Sequence, residues 1–76
     1  MSLTSAQCRA ARALIDWSRE QLAASAGVAV RTISDFEAGR REPINATMAA
    51  MRSALEVAGV EFIAENGGGA GVRLRK

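Results

Sequence analysis

Histidine is absent from this chain of 76 residues, and there is a single cysteine, Cys8. That set supports neither a His/Cys zinc site nor histidine-based acid–base catalysis, so no metal, no cofactor and no enzymatic activity are expected. A lone cysteine forms no disulfide within the chain, which fits a reducing compartment and a cytoplasmic protein. With no histidine to activate it, Cys8 reads as a small buried hydrophobe rather than a nucleophile. No apolar run reaches the roughly eighteen residues of a membrane span, and there is no signal-peptide layout. Neither membrane insertion nor secretion is expected.

An excess of one charge is lacking too. Ten basic residues against eight acidic ones give +2, with six to five up to Pro43 and four to three beyond it. Such a balance supports nucleic-acid binding only weakly, and any basic face must come from three-dimensional placement. A chain this short forms one domain and buries only about 60% of its unfolded surface. Help from a partner subunit would be unsurprising.

What is present is concentrated between Ser18 and Gly39, SREQLAASAGVAVRTISDFEAG. Ser18 and Gln21 have capping-box spacing and open a short helix whose apolar residues are Leu22, Ala23 and Ala26. Gly27 ends it, because the C′ position usually requires a positive φ. The apolar pattern restarts with Val28, Ile33 and Phe36, leaving Val30, Arg31, Thr32, Ser34 and Asp35 outward until Gly39 stops the helix. A helix with so few core anchors gains little from burial, whereas its outward donors and acceptors suit a DNA major groove. Two helices joined by a glycine turn of about four residues form a helix-turn-helix unit.

This segment resembles the phage-repressor/Cro-like helix-turn-helix domains, the XRE family. The resemblance is carried by Leu22-Ala23, Gly27-Val28, Thr32-Ile33-Ser34, Glu37-x-Gly39 and Arg41-x-Pro43. Residues 5 to 58 fit the five-helix family pattern as four helices, and the last eighteen residues lie outside its core. The resemblance implies that Arg12 forms a structural ion pair with Glu37. It places Arg19 where the family often has a glutamine that bonds a DNA phosphate, and Ala29 where it usually has a capping serine or threonine. Loss of that cap costs about 1 kcal/mol. Arg40 and Arg41 resemble the basic loop that lies along the sugar-phosphate backbone, so Arg19, Thr32, Arg40 and Arg41 are the expected phosphate contacts. At the N-terminal tip of the second helix, Arg31 suits guanine O6 and N7, Val30 a thymine methyl, and Asp35 the cytosine N4 amine. An Arg31–Asp35 i,i+4 surface pair is the plainer account of those two residues, and it is compatible with base reading.

The rest of the chain supports this unit. Met1 to Leu3 is expected to fray. Thr4 and Gln7 repeat the capping-box spacing and open a helix over roughly residues 5 to 16, whose inward face is Cys8, Ala11, Ile15 and, to one side, Leu14. Arg9 reads as solvated. Asp16 and Trp17 make the bend, Trp17 lidding the core. Asn45 is the expected N-cap of a helix over about residues 46 to 58, with Met48, Met51, Leu55 and Ala58 as its apolar stripe and Gly59 ending it. Strand formers at 60–64 and 71–75, around Asn66-Gly67-Gly68-Gly69, predict a β-hairpin. Arg73 and Arg75 read as solvated edge charges. The glycine run lacks the strand, helix and lysine of a nucleotide loop and reads as a turn.

The expectation is therefore a mainly α, lambda-repressor-like helix-turn-helix bundle over residues 1–59, extended by a hairpin over 60–76. Sequence-specific binding of double-stranded DNA at an operator is the expected function, by a homodimer joined through the hairpins. The alternative is an antitoxin-type interaction module whose partner is a toxin protein.

Overall fold

The computed structural model describes residues 3–64 and 67–75. Four helices come first: α1 (Ser5–Leu14), α2 (Arg19–Ala26), α3 (Val30–Glu37) and α4 (Asn45–Val57). An antiparallel hairpin of β1 (Val60–Ile63) and β2 (Gly71–Leu74) follows. The fold is thus the expected helical bundle with a C-terminal two-stranded hairpin. Among the described residues, no helix is long and apolar enough to cross a membrane.

The first two helices start with the same device. Thr4 accepts from the Gln7 backbone while the Gln7 side chain accepts from the Thr4 backbone, and Ser18 and Gln21 repeat this reciprocal capping. In each case the residue before the cap is apolar and so is the fourth helical residue: Leu3 with Cys8, and Trp17 with Leu22. All four belong to the core cluster or pack against it, in the positions of a hydrophobic staple.

The staple overturns the expectation that Leu3 frays. Only 2% of Leu3 is exposed, because fixing the chain direction at Thr4 carries its neighbour into the core. Met1 and Ser2, assigned to the same frayed end, lie outside the described residues, as does Asn66 of the expected hairpin turn.

α1 ends two residues earlier than its periodicity suggests. Asp16 adopts φ +58, and the Asp16 and Trp17 amides bond back to the carbonyls of Ala13 and Arg12 at 3.3 and 2.9 Å. This is a Schellman ending with aspartate in the place glycine usually takes; its short polar side chain tolerates the left-handed region. The turn carries Leu14 outward to 39% exposure, a correction to its inward assignment, while Ile15 packs against the core. At α4 the N-cap is Ile44, without a side-chain hydrogen bond, and Asn45 is the first helical residue. Burial of Met48, Met51 and Leu55 outweighs the capping preference of Asn45.

Leu22, Ile33, Met51, Leu55 and Val60 are completely buried with Cys8 and Ala11. The hairpin, one residue shorter on each strand than expected, lies against both α1 and α4. Arg52 of α4 sits over the Phe62 ring, 4.8 Å from its centroid. Across the strands Arg73 pairs with Glu61 at 3.1 Å, and Arg75 bonds the carbonyls of neither strand but that of Glu56 with its guanidinium. Both arginines were read as simply solvated; cross-strand register and the nearby end of α4 give them partners.

Gln7 holds the hairpin to α1. Its amide nitrogen donates to the carbonyls of Gly71 at 3.0 Å and Ile63 at 3.5 Å, while its amide oxygen caps α1. Gln21, with the same capping role, is exposed and makes no such link. Gln7→Ala is therefore expected to cost ~1–3 kcal/mol in urea unfolding and to speed amide exchange in β1 and β2. Gln21→Ala should cost less and leave hairpin exchange unchanged; equal effects from both would show that Gln7 acts only as a cap.

Candidate nucleic-acid interface

α2 and α3 are joined at Gly27, which has φ +72 and accepts the left-handed geometry that ends α2. Ala29 then takes the N-cap position of α3 in an extended conformation, with no side-chain hydrogen bond. α3 is sharply two-faced. Ile33, Phe36 and Glu37 are buried, whereas Val30 is exposed and the Arg31 side chain is 91% accessible. Thr32, Ser34 and Asp35 are half-buried along the flanks.

The buried end of α3 is held by one carboxylate. Glu37 Oε1 accepts from Arg12 Nη2 at 2.7 Å and Arg19 Nε at 3.1 Å. Its Oε2 accepts from Arg12 Nε at 2.8 Å and the Cys8 thiol at 3.1 Å. The fork of Arg12 is thus bidentate, and its Nη1 reaches back to the Trp17 carbonyl at 3.0 Å. Arg9 donates to the Glu37 main-chain carbonyl at 2.6 Å, so it is not the freely solvated residue expected. Its position one turn before Arg12–Ala13 on α1 brings it over the C-terminal end of α3, where carbonyls are unsatisfied.

Burial by itself pushes the Glu37 carboxyl up, but hydrogen bonds from Arg12, Cys8 and Arg19 outweigh it and hold its pKa below the ordinary value. The same contact raises the Arg12 pKa against the opposing effect of its own burial. Burial, then the hydrogen bond to Glu37, pushes the Cys8 thiol far above its usual range, so it stays a neutral donor.

α3 ends in a second Schellman turn: the Gly39 amide bonds Phe36 O at 3.0 Å and the Arg40 amide bonds Asp35 O at 2.8 Å. Gly39 supplies the left-handed residue at φ +77. The Asp35 carboxylate lies 3.8 Å from Arg31 Nε and 3.5 Å from Arg40 Nη1. Arg40 and Arg41 border a shallow cleft whose other wall includes Thr4 and Ser5. Arg41 is exposed and forms no ion pair among the described residues.

The residues singled out in the sequence therefore fall into two groups. Arg31 and Arg40 are linked by charge through the half-buried Asp35, with exposed Val30 beside Arg31; Arg12, Arg19 and Glu37 form a buried knot from which Arg19 emerges half-exposed. Thr32 and Arg41 touch neither by an ion pair or side-chain hydrogen bond. Cys8 and Arg9 were not read as donors to Glu37, and Gln7 was read only as a cap. A signal for Cys8 existed: a buried carboxylate has about four acceptor sites, more than one arginine fills.

Residues 9–62 match the family model described as helix-turn-helix, so the match runs from α1 into β1. No curated protein matches the chain.

Two consequences can be measured. Glu37→Ala strands the largely buried Arg12, and Arg12→Ala strips Glu37 of its two shortest contacts, leaving Arg19 and Cys8; each should cost up to ~3–5 kcal/mol in urea unfolding, with an apolar double replacement milder. In acid, the unfolded chain takes up a proton at Glu37 near the ordinary glutamate value of about 4.3, before the folded protein does. The Glu37 contribution is then complete above that pH and is lost as the pH falls through the lower folded value. Glu37→Gln should flatten this acid limb of the stability–pH curve; an unchanged limb would mean the carboxyl is not held in its ionised form.

Proposed function

The chain belongs to the Cro/C1-type helix-turn-helix family of DNA-binding transcription regulators, and on that footing we propose that it binds a specific double-stranded operator sequence. The observation that carries this reading is the division of α3. Its buried face fixes the helix to the bundle while Val30 and Arg31 stay exposed at the tip, Arg31 held only by a long pair to Asp35. A helix presented in this way enters a major groove with its N-terminal residues against base edges. Val30, Arg31 and Asp35 are the base-reading residues; Arg19, Thr32, Arg40 and Arg41 bond the flanking phosphates. Phosphate contacts orient the protein and carry no sequence information, so the two groups are separable by experiment.

Selection from a random duplex pool is the direct test, with a palindromic consensus as the expected product. On the selected site Arg31→Ala should cost ~1–3 kcal/mol and relax one base position. Arg41→Ala should weaken all duplexes alike and reduce the salt dependence by about one charge. Equal, sequence-blind losses from both substitutions would remove Arg31 from the base-reading set. Failure to select any sequence, together with a copurifying toxin protein, would favour the antitoxin reading.

The operator reading includes a homodimer formed through the hairpin. Helices α1 and α4 already cover the inner face of the hairpin, but with two strands the sheet keeps unpaired edges, and Leu74 is half exposed. Open edges favour pairing with a second chain. Joining two hairpins along β2 into four strands would leave the packing on α1 and α4 intact. Two-fold symmetry would then present two α3 helices to successive major-groove turns about 34 Å apart. The Arg75 amide bonds Gly59 O at 2.7 Å, so in this register the Leu74 amide faces away from β1. Leu74→Pro removes that outward donor and no ladder bond. Sedimentation should show a dimer at tens of micromolar for the full chain and a folded monomer for Leu74→Pro. A full-length monomer, or a dimer indifferent to the proline, rules out the joined sheet.

A further inference from the structure

Asp35 holds a place that base reading alone does not explain. It is the one acidic side chain on the accessible side of α3, since Glu37 is buried. Its two oxygens face two different arginines: Oδ2 lies 3.8 Å from Arg31 Nε and Oδ1 lies 3.5 Å from Arg40 Nη1. Arg40 is also tied to Asp35 through the main chain, its amide bonding Asp35 O at 2.8 Å. One carboxylate therefore straddles a base-reading and a phosphate-binding arginine.

Resting on the operator reading above, we propose that Asp35 is a discriminating residue that lowers affinity for DNA lacking one particular base. In the free protein the carboxylate is balanced by both guanidinium groups. Those pairs are long and largely exposed at the arginine ends, so they are weak and DNA can draw the arginines away. Once Arg31 turns to a guanine and Arg40 to a phosphate, Asp35 is left facing the groove. Most of what it meets there is hostile: guanine O6 and N7, adenine N7 and thymine O4 are all acceptors, and the phosphates are negative. Only the cytosine N4 and adenine N6 amino groups can donate to it. Where cytosine N4 falls one helical turn along from the Arg31 contact, the carboxylate regains a partner. At guanine or thymine it is desolvated without one, which is costly, and at adenine the N6 donor comes with the repelling N7 acceptor beside it. Specificity then comes partly from repulsion of wrong sites and not only from attraction to the right one.

This makes an unusual demand on the variant: removing a DNA-facing side chain should tighten binding to random DNA. Asp35→Ala should bind a random duplex several-fold more tightly, with a salt slope steeper by about one. Its preference for the selected site over random duplex should fall by about ten- to a hundredfold. Asp35→Asn keeps the size of the side chain, and its amide suits adenine N6 and N7. Pool selection with this variant should replace cytosine by adenine at a single position. Thermal melting of both variants establishes that they are folded; if Asp35→Ala is not, Asp35→Asn carries the test alone. Equal weakening on selected and random duplexes, or an unchanged consensus for Asp35→Asn, would overturn the proposal. If the wild-type chain selects a sequence that neither variant alters, only the role of Asp35 falls. If the wild-type chain selects none, the operator reading falls with it.

Discussion

A carboxylate withdrawn from water needs donors for nearly every lone pair, and Glu37 is 1% exposed at its side chain. Its four acceptor contacts come from three side chains, Cys8 and Arg12 on α1 and Arg19 on α2. The demand of one buried charge thus draws the end of α3, the middle of α1 and the start of α2 to a single point. Buried ion pairs often contribute little net stability, because desolvation offsets attraction. What they impose is geometry. An apolar residue in place of Glu37 would tolerate small rotations of α3, whereas a bidentate fork and two further donors do not. The angle at which Val30 and Arg31 are presented is therefore set at the opposite end of their own helix.

Around this knot the small core is closed by repetition. Two capping boxes and two apolar staples fix the starts of α1 and α2, and two Schellman turns fix the ends of α1 and α3. These are local devices, each modest by itself, in a chain too short to rely on its core alone. The hairpin adds what local devices do not. Val60 is completely buried, and the Gln7 amide ties the far end of the hairpin to the N-terminal turn of α1. Strands that would be marginal alone become part of the bundle.

The features legible in the sequence were those with a short-range cause. Capping-box spacing at Thr4 and Ser18, glycines at 27 and 39, and the Met48–Met51–Leu55 stripe each dictate structure within a few residues, and they place the helices. The family resemblance then supplied the partnership of Arg12 with Glu37, which spacing alone does not contain. Misreadings share a different origin. Leu3, Leu14 and Asn45 were assigned by local preference, and in each case tertiary packing or a turn nearby prevailed. Arg9, Gln7 and Cys8 bond groups 28 to 64 residues away, and no periodicity encodes such pairs. The bend at Asp16 and Trp17 was legible, but the helix end was set two residues late, because aspartate, not glycine, occupies the left-handed position.

Arginine at position 19 and alanine at position 29 are the two departures from the family pattern, and the structure relates them to one another. With alanine at its N-cap, α3 has no side chain fastening its first turn. The helix is instead anchored from behind, through Glu37, the Gly39 turn and the Arg9 bond to its last carbonyl. Arg19 takes part in that anchoring through Nε alone, which leaves the outer nitrogens of its planar fork available to other acceptors. A glutamine in its place would bring one amide nitrogen and no fixed charge. The arginine joins the buried knot and remains half in solvent at the mouth of the helix-turn-helix. Fastening at the C-terminal end and reach at the N-terminal end are thus complementary: the base of α3 is held by charge, and its tip is left to be fixed by whatever it binds.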